Sequence, residues 1–422
     1  MKTIPSLKKI SQDPGCLSEY DPNSMNFEDV HPFLLKFVKP IKKTETINLL
    51  DAHNRVLAKA IKSPVNVPNY DNSAMDGYAI RLKQKTLTFQ VTGSILAGSL
   101  SPKKLNPGEA MQIMTGGKIP KGCDAVIPIE LVLENDQFIQ IKALPKKNAN
   151  IRFVGEDVKK GQTILKQGDF LRPAEIGLLA SLGLAKINVY KKLKVGFFSS
   201  GDEVIEVGKR LKTGQVYDSN RYAIGALLKN FNLDVVHYKN VSDNKADIKK
   251  TLLRASKNCD LIISTGGVSV GKADYMKEVL KELGQILFWK LAIKPGRPLA
   301  YGKIGKAHFF GLPGNPVSAM VTFYQIVQPA IRVLMGDKDY SQPPLFKVRA
   351  LEPIFKKPGR MEFQRGVLSK IKNEWFVKPT PHQGSAILSS MTQANCFIVL
   401  EKNEASLKKN DYVNVQLMSD FI

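Results

Sequence analysis

The sequence predicts a multidomain α/β plus β fold: a doubly wound βαβ domain, a helical domain with an inserted β domain, and a C-terminal β-barrel-like domain. Three observations lead there. From Leu193 to Leu334, buried-type apolar strands alternate with helical stretches of about ten residues or more, the mark of βαβ units and a mostly parallel sheet. On either side, short period-two apolar runs are punctuated by Gly and Pro, the mark of small antiparallel β domains. The chain has 422 residues, which at ~150 residues per domain implies several domains.

In chain order, residues 1–24 are polar and carry Pro5, Pro14, Gly15 and Pro22, a loose lead-in. Segments 25–62 and 150–190 form the helical domain. Phe33, Leu34, Phe37 and Val38, then Leu49, Leu50 and Leu57, fall close to a 3.6 period, so 26–60 reads as mainly helical. In the second segment Pro173 suits a first helical position, and 173–184 keeps that period. Turn residues from Pro64 to Asn72 open the inserted domain, 63–149, whose strands are expected at 87–92, 110–114, 125–129 and 138–141. In the βαβ domain, 191–338, strands are expected at 193–200, 234–238 and 260–264. Helices are expected at 221–231, 246–256, 275–283 and 316–334. The C-terminal domain, 339–422, reads as short strands near 346–350, 363–368, 375–378, 396–400 and 413–417.

The composition is that of a globular protein, with 43% hydrophobic and 24% charged residues, which excludes wholesale disorder and collagen-like repeats. The formal net charge of +24 favours anionic partners without choosing among them. Cys16, Cys123, Cys259 and Cys396 form no CxxC pair, so lone thiols in a reducing compartment are expected. The first residues lack the apolar core of a signal peptide. The longest apolar stretch, near 176–185, is about half of the ~20 residues that span a bilayer. A cytoplasmic protein without membrane contact is therefore expected. The basic residues are dispersed, with no RNP or KH pattern and no basic patch interleaved with aromatics, so a nucleic-acid partner is not expected.

Five constellations can carry chemistry. The strand running into Thr265-Gly266-Gly267-Val268-Ser269 places small residues at the carboxyl edge of a parallel sheet, where ligands bind. Gly266 and Gly267 permit close phosphate approach, though a tight turn alone explains them equally. In GLPGNPV, Asn315 suits an N-cap and Pro316 a first helical residue, leaving helix amides for an anion or simply a capped helix. Lys290, Lys294 and Arg297 put three cations within eight residues; apolar residues between them argue against a merely solvated run. Asp202, Glu203, Asp218, Asp243 and Asp274 all follow strand ends or the glycine loop, and carboxylates beside phosphate-binding elements suit Mg²⁺. Each alone also serves as a cap or turn residue. The fifth lies in the insert, around Asp71, Met114-Thr115-Gly116-Gly117 and Gly155-Glu156-Asp157, where turn formation is the competing explanation.

Taken in order, DNSAMDGYA, IMTGGKIPKGCDAVIP, GEDV, SSGDEV, GQVYDSNRY, STGGVSVGKADYMK, FWKLAIKPGRPLAYGK, GLPGNPVSA, EFQRG and HQGSAILSS resemble the molybdopterin molybdenumtransferase family, to which the E domain of gephyrin is similar. The resemblance covers about residues 26–422. It implies a βαβ domain of molybdopterin-binding type and an elongated homodimer. The site would lie in a cleft between the βαβ domain of one subunit and the helical and inserted domains of the other. It also implies a reaction in which adenylylated molybdopterin and molybdate, with Mg²⁺, yield molybdenum on the dithiolene and AMP. Other proteins of molybdenum cofactor synthesis would be partners. Catalytic roles are implied for Asp71, Thr115, Asp157, Glu203, Asp243, Asp274, Lys290, Lys294, Arg365 and Ser385. Arg360 and Ser389 stand close to the last two. Substrate contacts are expected from Thr265, Gly266, Gly267, Ser269, Arg297, Pro313, Asn315 and Pro316, and metal contacts from Glu203 and Asp274. The family often carries a second acid after Asp243, where this chain has Asn244. The βαβ domain alone also resembles the adenylyltransferase that makes the adenylylated intermediate, but that enzyme needs only one domain of ~150–180 residues. A non-catalytic scaffold is a further alternative, suggested by charge alone.

Overall fold

The computed structural model describes residues 24–82, 86–99, 104–268, 275–340 and 343–418. All but Ser24 of the expected lead-in lies outside them, as do Cys16, Ser269 and Asp274.

The helix Phe27–Phe37 buries Val30, Phe33 and Leu34. Those side chains join the core of the βαβ domain, together with Ile331 and Leu334 of the helix Gln328–Met335. Only this stretch of 26–60 is α-helical. Thr44–Asn48 is a strand with alternating burial, because Thr44, Thr46 and Ile47 are β-branched and favour an extended backbone. The apolar spacing of Leu49, Leu50 and Leu57, which suggests a helix, is taken up by a short 3₁₀ turn and the residues after it.

The rest of this region is a nested antiparallel ribbon. Thr44–Asn48 pairs with Lys186–Tyr190, Arg55–Val56 with Phe170–Leu171, and Ile61–Lys62 with Thr163–Leu165. Val67 then bridges to Val158, and Asn72–Ser73 pairs with Ile151–Arg152. The helix Pro173–Ser181 packs Leu179 onto the base of this ribbon, beside Leu57, Leu171, Ile187 and Val189. At the far end the ribbon carries a six-stranded sheet. Its order is Ala125–Pro128, Gly77–Ile80, Glu109–Ile113, Thr88–Ile95, Phe138–Ile141 and Val132–Asn135. The pairing is antiparallel except between Thr88–Ile95 and Glu109–Ile113, which run parallel.

The βαβ domain has a six-stranded sheet in the order Asp234–His237, Lys194–Ser199, Leu261–Thr265, Ala307–Leu312, Pro298–Ile304 and Gln285–Lys290. The first four are parallel and the last two pairings antiparallel. Ser219–Lys229, Lys245–Asn258 and Tyr275–Leu283 are helices. The long helix Pro316–Met335 contains a π turn over Phe323–Val327. Pro329 follows it, and a proline lacks the amide hydrogen and crowds the carbonyl four residues back. This helix is long and apolar enough to cross a bilayer, yet 67% of its apolar window is buried. In the C-terminal domain, Met361–Ile371 pairs with both Glu374–Pro379 and Cys396–Leu400, and Phe346–Ala350 and Tyr412–Leu417 close the circuit into a five-stranded barrel. Cys123, Cys259 and Cys396 are free thiols.

Two outcomes follow. Phe33→Ala empties a site in the core of the βαβ domain and should cost about 3–5 kcal/mol, read by chemical denaturation. His308, beside the Tyr301 hydroxyl at 3.0 Å, is held down to about 4 by burial, with Lys303 adding to it. The unfolded chain titrates near 6.5. Stability is therefore full above that pH and falls by about 3 kcal/mol as pH drops toward 4. His308→Gln should flatten the decline in melting temperature over that window.

Candidate active site

Ser199, Thr265 and Leu312 stand in register across three neighbouring parallel strands. The three chains therefore leave the sheet side by side at its carboxyl edge. The Ser200 amide donates to the Thr265 carbonyl at 2.8 Å, and the Gly266 amide to the Leu312 carbonyl at 3.1 Å. The crossing is so close that a Cβ on Gly266 would lie 2.3 Å from the Ser200 carbonyl oxygen, and its φ is +83°. Only glycine accepts both conditions. A cavity of about 1060 Å³ opens beyond this edge.

Its wall brings together Glu203, Asp243, Thr265, Gly266, Gly267, Lys294, Arg297, Pro313, Asn315, Pro316 and Ser385. The carboxylates come from loops after the first two strands of the domain. The Asp243 carboxyl is pushed up by burial first, then by Asp202 and Glu203. Its amide donates to Asp202 Oδ1 at 3.1 Å. Asn244, where the family often has an acid, caps the helix Lys245–Asn258 by accepting from the Asp247 amide at 2.9 Å. Among the described residues no three His, Cys, Asp or Glu side chains converge as a metal-binding group.

Thr265 is 1% exposed and its hydroxyl points along the sheet edge. Thr265 Oγ1 donates to Ser199 Oγ at 3.2 Å, and Ser199 Oγ donates to Asp218 Oδ1 at 2.9 Å. Asp218 also accepts from the Arg221 amide and Nε, each at 3.0 Å.

The cations come from the segment before the strand Pro298–Ile304. Gly296, at φ +107°, lets this segment lie against the long helix, where a Cβ would come within 2.5 Å of Thr322 Cγ2. Lys294 Nζ lies 3.2 Å from Glu362 Oε1.

At the helix start Asn315 makes no side-chain cap, contrary to the expectation. Its Nδ2 donates instead to Ser385 Oγ at 3.0 Å. The Val317 amide donates to the Ser385 carbonyl at 3.1 Å. One of the helix amides expected to face an anion is thus occupied by the C-terminal domain.

Two expected catalytic groups of the βαβ and C-terminal domains, Arg365 and Lys290, stand away from the cavity. Arg365 does not line the cavity. It is 1% exposed and donates to Ser390 Oγ at 3.1 Å and to the carbonyls of His382 and Gly384 at 3.3 and 3.1 Å. Burial holds its guanidinium down to about 10. Its bonds to these carbonyls hold the loop that carries Ser385. Lys290 is partly buried, opposite Pro298 on the neighbouring strand, and is absent from the wall. Asp274, with Ser269, lies outside the described residues.

Asp71, Thr115 and Asp157 lie in a second region, in loops around the neck of the inserted domain. Asp71 Oδ1 accepts from the Val154 amide at 2.7 Å, and the Asp157 amide donates to the Val67 carbonyl at 3.0 Å. Thr115 donates through its amide and hydroxyl to Asp76 Oδ1 at 2.6 and 2.7 Å, which holds the Asp76 carboxyl below its ordinary range. None of the three lines the cavity of the βαβ domain.

Sequence reasoning missed Ser200, Asn220 and Gln383, which do line the βαβ cavity, and named Arg360, which lines it too, only as a neighbour of Arg365. Asn220 Nδ2 donates to the Gly314 carbonyl at 2.8 Å, while Asn220 Oδ1 and Ser200 Oγ are buried without a hydrogen-bond partner among the described residues. Ser200, Asn220 and Gln383 sit inside the motifs SSGDEV, GQVYDSNRY and HQGSAILSS, which was the available signal.

Comparison with known proteins agrees along the chain. Family models match in succession: MoeA N-terminal region (domain I and II) over 25–183, Probable molybdopterin binding domain over 198–333, and MoeA C-terminal region (domain IV) over 347–418. The molybdopterin molybdenumtransferase of Haemophilus influenzae is 47% identical over 378 residues, covering 89% of this chain and 94% of that protein. That of a Nostoc species is 33% identical, covering 88% of each. The crystal structure of a molybdopterin biosynthesis MoeA protein from Pyrococcus horikoshii matches with a TM-score of 0.80 at 29% identity, over 93% of this chain and 100% of that one. With three family models matched in order along the chain and a cavity at the expected sheet edge, the chain belongs to the MoeA family.

Proposed function

We propose that this chain is a transferase that inserts molybdenum into molybdopterin, taking adenylylated molybdopterin and molybdate and releasing AMP. One observation carries this reading. One cavity at the carboxyl edge of the sheet joins a glycine loop, the basic side chains of Lys294, Arg297 and Arg360, and the carboxylates of Glu203, Asp218 and Asp243. Glycine backbone and cations suit phosphate and oxyanion oxygens. The orphaned Asn220 Oδ1 and Ser200 Oγ suit the polar edges of a nucleotide or pterin.

Mg²⁺ fits this donor set. Carboxylate oxygens are hard ligands, and Asp243, pushed up by burial with Asp202 and Glu203 adding to it, stands among carboxylates whose charge a cation offsets. Glu203, with Asp274, would hold it. There it would neutralise phosphate charge, with substrate oxygens and water as its remaining ligands.

The group of Asp71, Thr115 and Asp157 is exposed or partly exposed and lies outside the cavity at the βαβ sheet edge. We therefore place it, with the family resemblance, against the βαβ cavity of a second copy in a homodimer, with two equivalent sites. We propose that the dimer works in the cytoplasm, with other proteins of cofactor synthesis supplying and accepting the pterin. A stand-alone adenylyltransferase would leave the ribbon, the inserted sheet and the barrel without a role.

Glu203→Gln should abolish AMP release from adenylylated molybdopterin while leaving the melting temperature within ~2 °C, since an exposed isosteric change costs under about 0.5 kcal/mol. Full turnover at ordinary Mg²⁺ would remove Glu203 from the metal. The shared site is tested by mixing an Asp71→Ala subunit with a Glu203→Gln subunit, each inactive alone. A mixed dimer with shared sites has one site carrying both lesions and one carrying neither, so activity returns. If sites form within one chain, mixed dimers stay silent.

A further inference from the structure

Lys294 belongs to a charge arrangement that reaches into another domain. The short strand Ile293–Lys294 runs parallel to the start of Met361–Ile371, with Lys294 in register with Glu362. The Met361 amide locks the pairing by donating to the Ala292 carbonyl at 3.0 Å. A carboxylate of the C-terminal barrel is thereby brought beneath the cavity wall.

Glu362 is 3% exposed, and a buried carboxylate must be matched by donors or cations. Its two oxygens are divided between partners. Oε1 accepts from Lys294 Nζ at 3.2 Å, and Oε2 accepts from Gln364 Nε2 at 3.0 Å. Gln364 is held in turn by the Phe355 carbonyl at 2.8 Å. A second ammonium, Lys356, lies nearby in the barrel, buried and donating to the carbonyls of Lys357, Lys402 and Glu404. Burial lowers it, and Glu362 is the strongest charge working against that. One carboxylate thus faces two cations, and only Lys294 is half exposed and lines the cavity.

We propose that Glu362 is the positioning residue for Lys294, and that the C-terminal barrel acts on oxyanion binding through it. A lysine has a long stem and little orientational preference. The buried carboxylate fixes Lys294 Nζ at the wall. Because Glu362 is shared between two ammonium groups, its pairing leaves Lys294 with positive charge to offer a ligand. This inference rests on the reading of Lys294 as a holder of molybdate or phosphate oxygens.

The test uses the full chain, adenylylated molybdopterin, Mg²⁺ and a molybdate titration, with AMP release as readout. Glu362→Gln should raise the KM for molybdate about tenfold, the size of one charge-assisted hydrogen bond, with kcat at saturating molybdate within about twofold. Glu362→Asp keeps a charge for Lys356 but withdraws it from Lys294 by one methylene. It should raise KM similarly with a smaller change in melting temperature, which covers the case in which the glutamine variant fails to fold. In a Lys294→Ala background, Glu362→Gln or Glu362→Asp should add no further rise. An equal rise in both backgrounds, or an unchanged or lowered KM in the single Glu362 variants, overturns the proposal while leaving Lys294 as an anion holder. If Lys294→Ala itself leaves molybdate dependence unchanged, the reading of Lys294 fails and the proposal falls with it.

Discussion

The site depends on the parallel register that aligns Ser199, Thr265 and Leu312. Hydrogen-bonded strands that end level with one another release their loops at one place, so residues far apart in sequence become neighbours without a dedicated scaffold. A slip of one residue would turn Thr265 from its bond with Ser199 to the opposite face of the sheet. The buried hydroxyl chain from Thr265 through Ser199 to Asp218 opposes such a slip, since the buried Thr265 hydroxyl would lose its partner.

Much of this was readable from residue types. The βαβ strands are continuous apolar runs because both faces are covered, and their helices carry recognisable starts, such as Asn244 before Lys245–Asn258. The barrel strands show as short apolar-rich runs, alternating in Phe346–Ala350 and continuous in Cys396–Leu400. The ribbon was not readable in the same way. Its pairings join two-residue strands such as Arg55–Val56 and Phe170–Leu171, too short for any period to register. The docking of Phe27–Phe37 in the βαβ core was also hidden, because an amphipathic helix declares that it has a buried face without declaring which domain covers it.

At the site, sequence located the glycine loop, the carboxylates and Lys294, because each requires a residue type at a strand end. It could not separate residues that touch the cavity from residues that hold others in place. Arg365 is an arginine in a functional motif, and only its burial and its bonds to loop carbonyls reveal a supporting role. Asn315 is similar: a sound N-cap by type, it is diverted to Ser385. For Arg365 the deciding contacts lie within the C-terminal domain, and for Asn315 the contact reaches it from that domain. Such tertiary contacts override local propensity.

The nested ribbon between the inserted sheet and the base has a consequence for how the chain reaches its fold. Pairing Thr44–Asn48 with Lys186–Tyr190 from an open chain would close a very large loop at an entropic cost that grows with its length. Once the inserted sheet has formed, Asn72–Ser73 and Ile151–Arg152 are already near each other. Each further pairing toward the base then closes only the few residues since the last. The long-range contacts become a series of short closures, and assembly of this arm proceeds like a zipper from its tip toward its base.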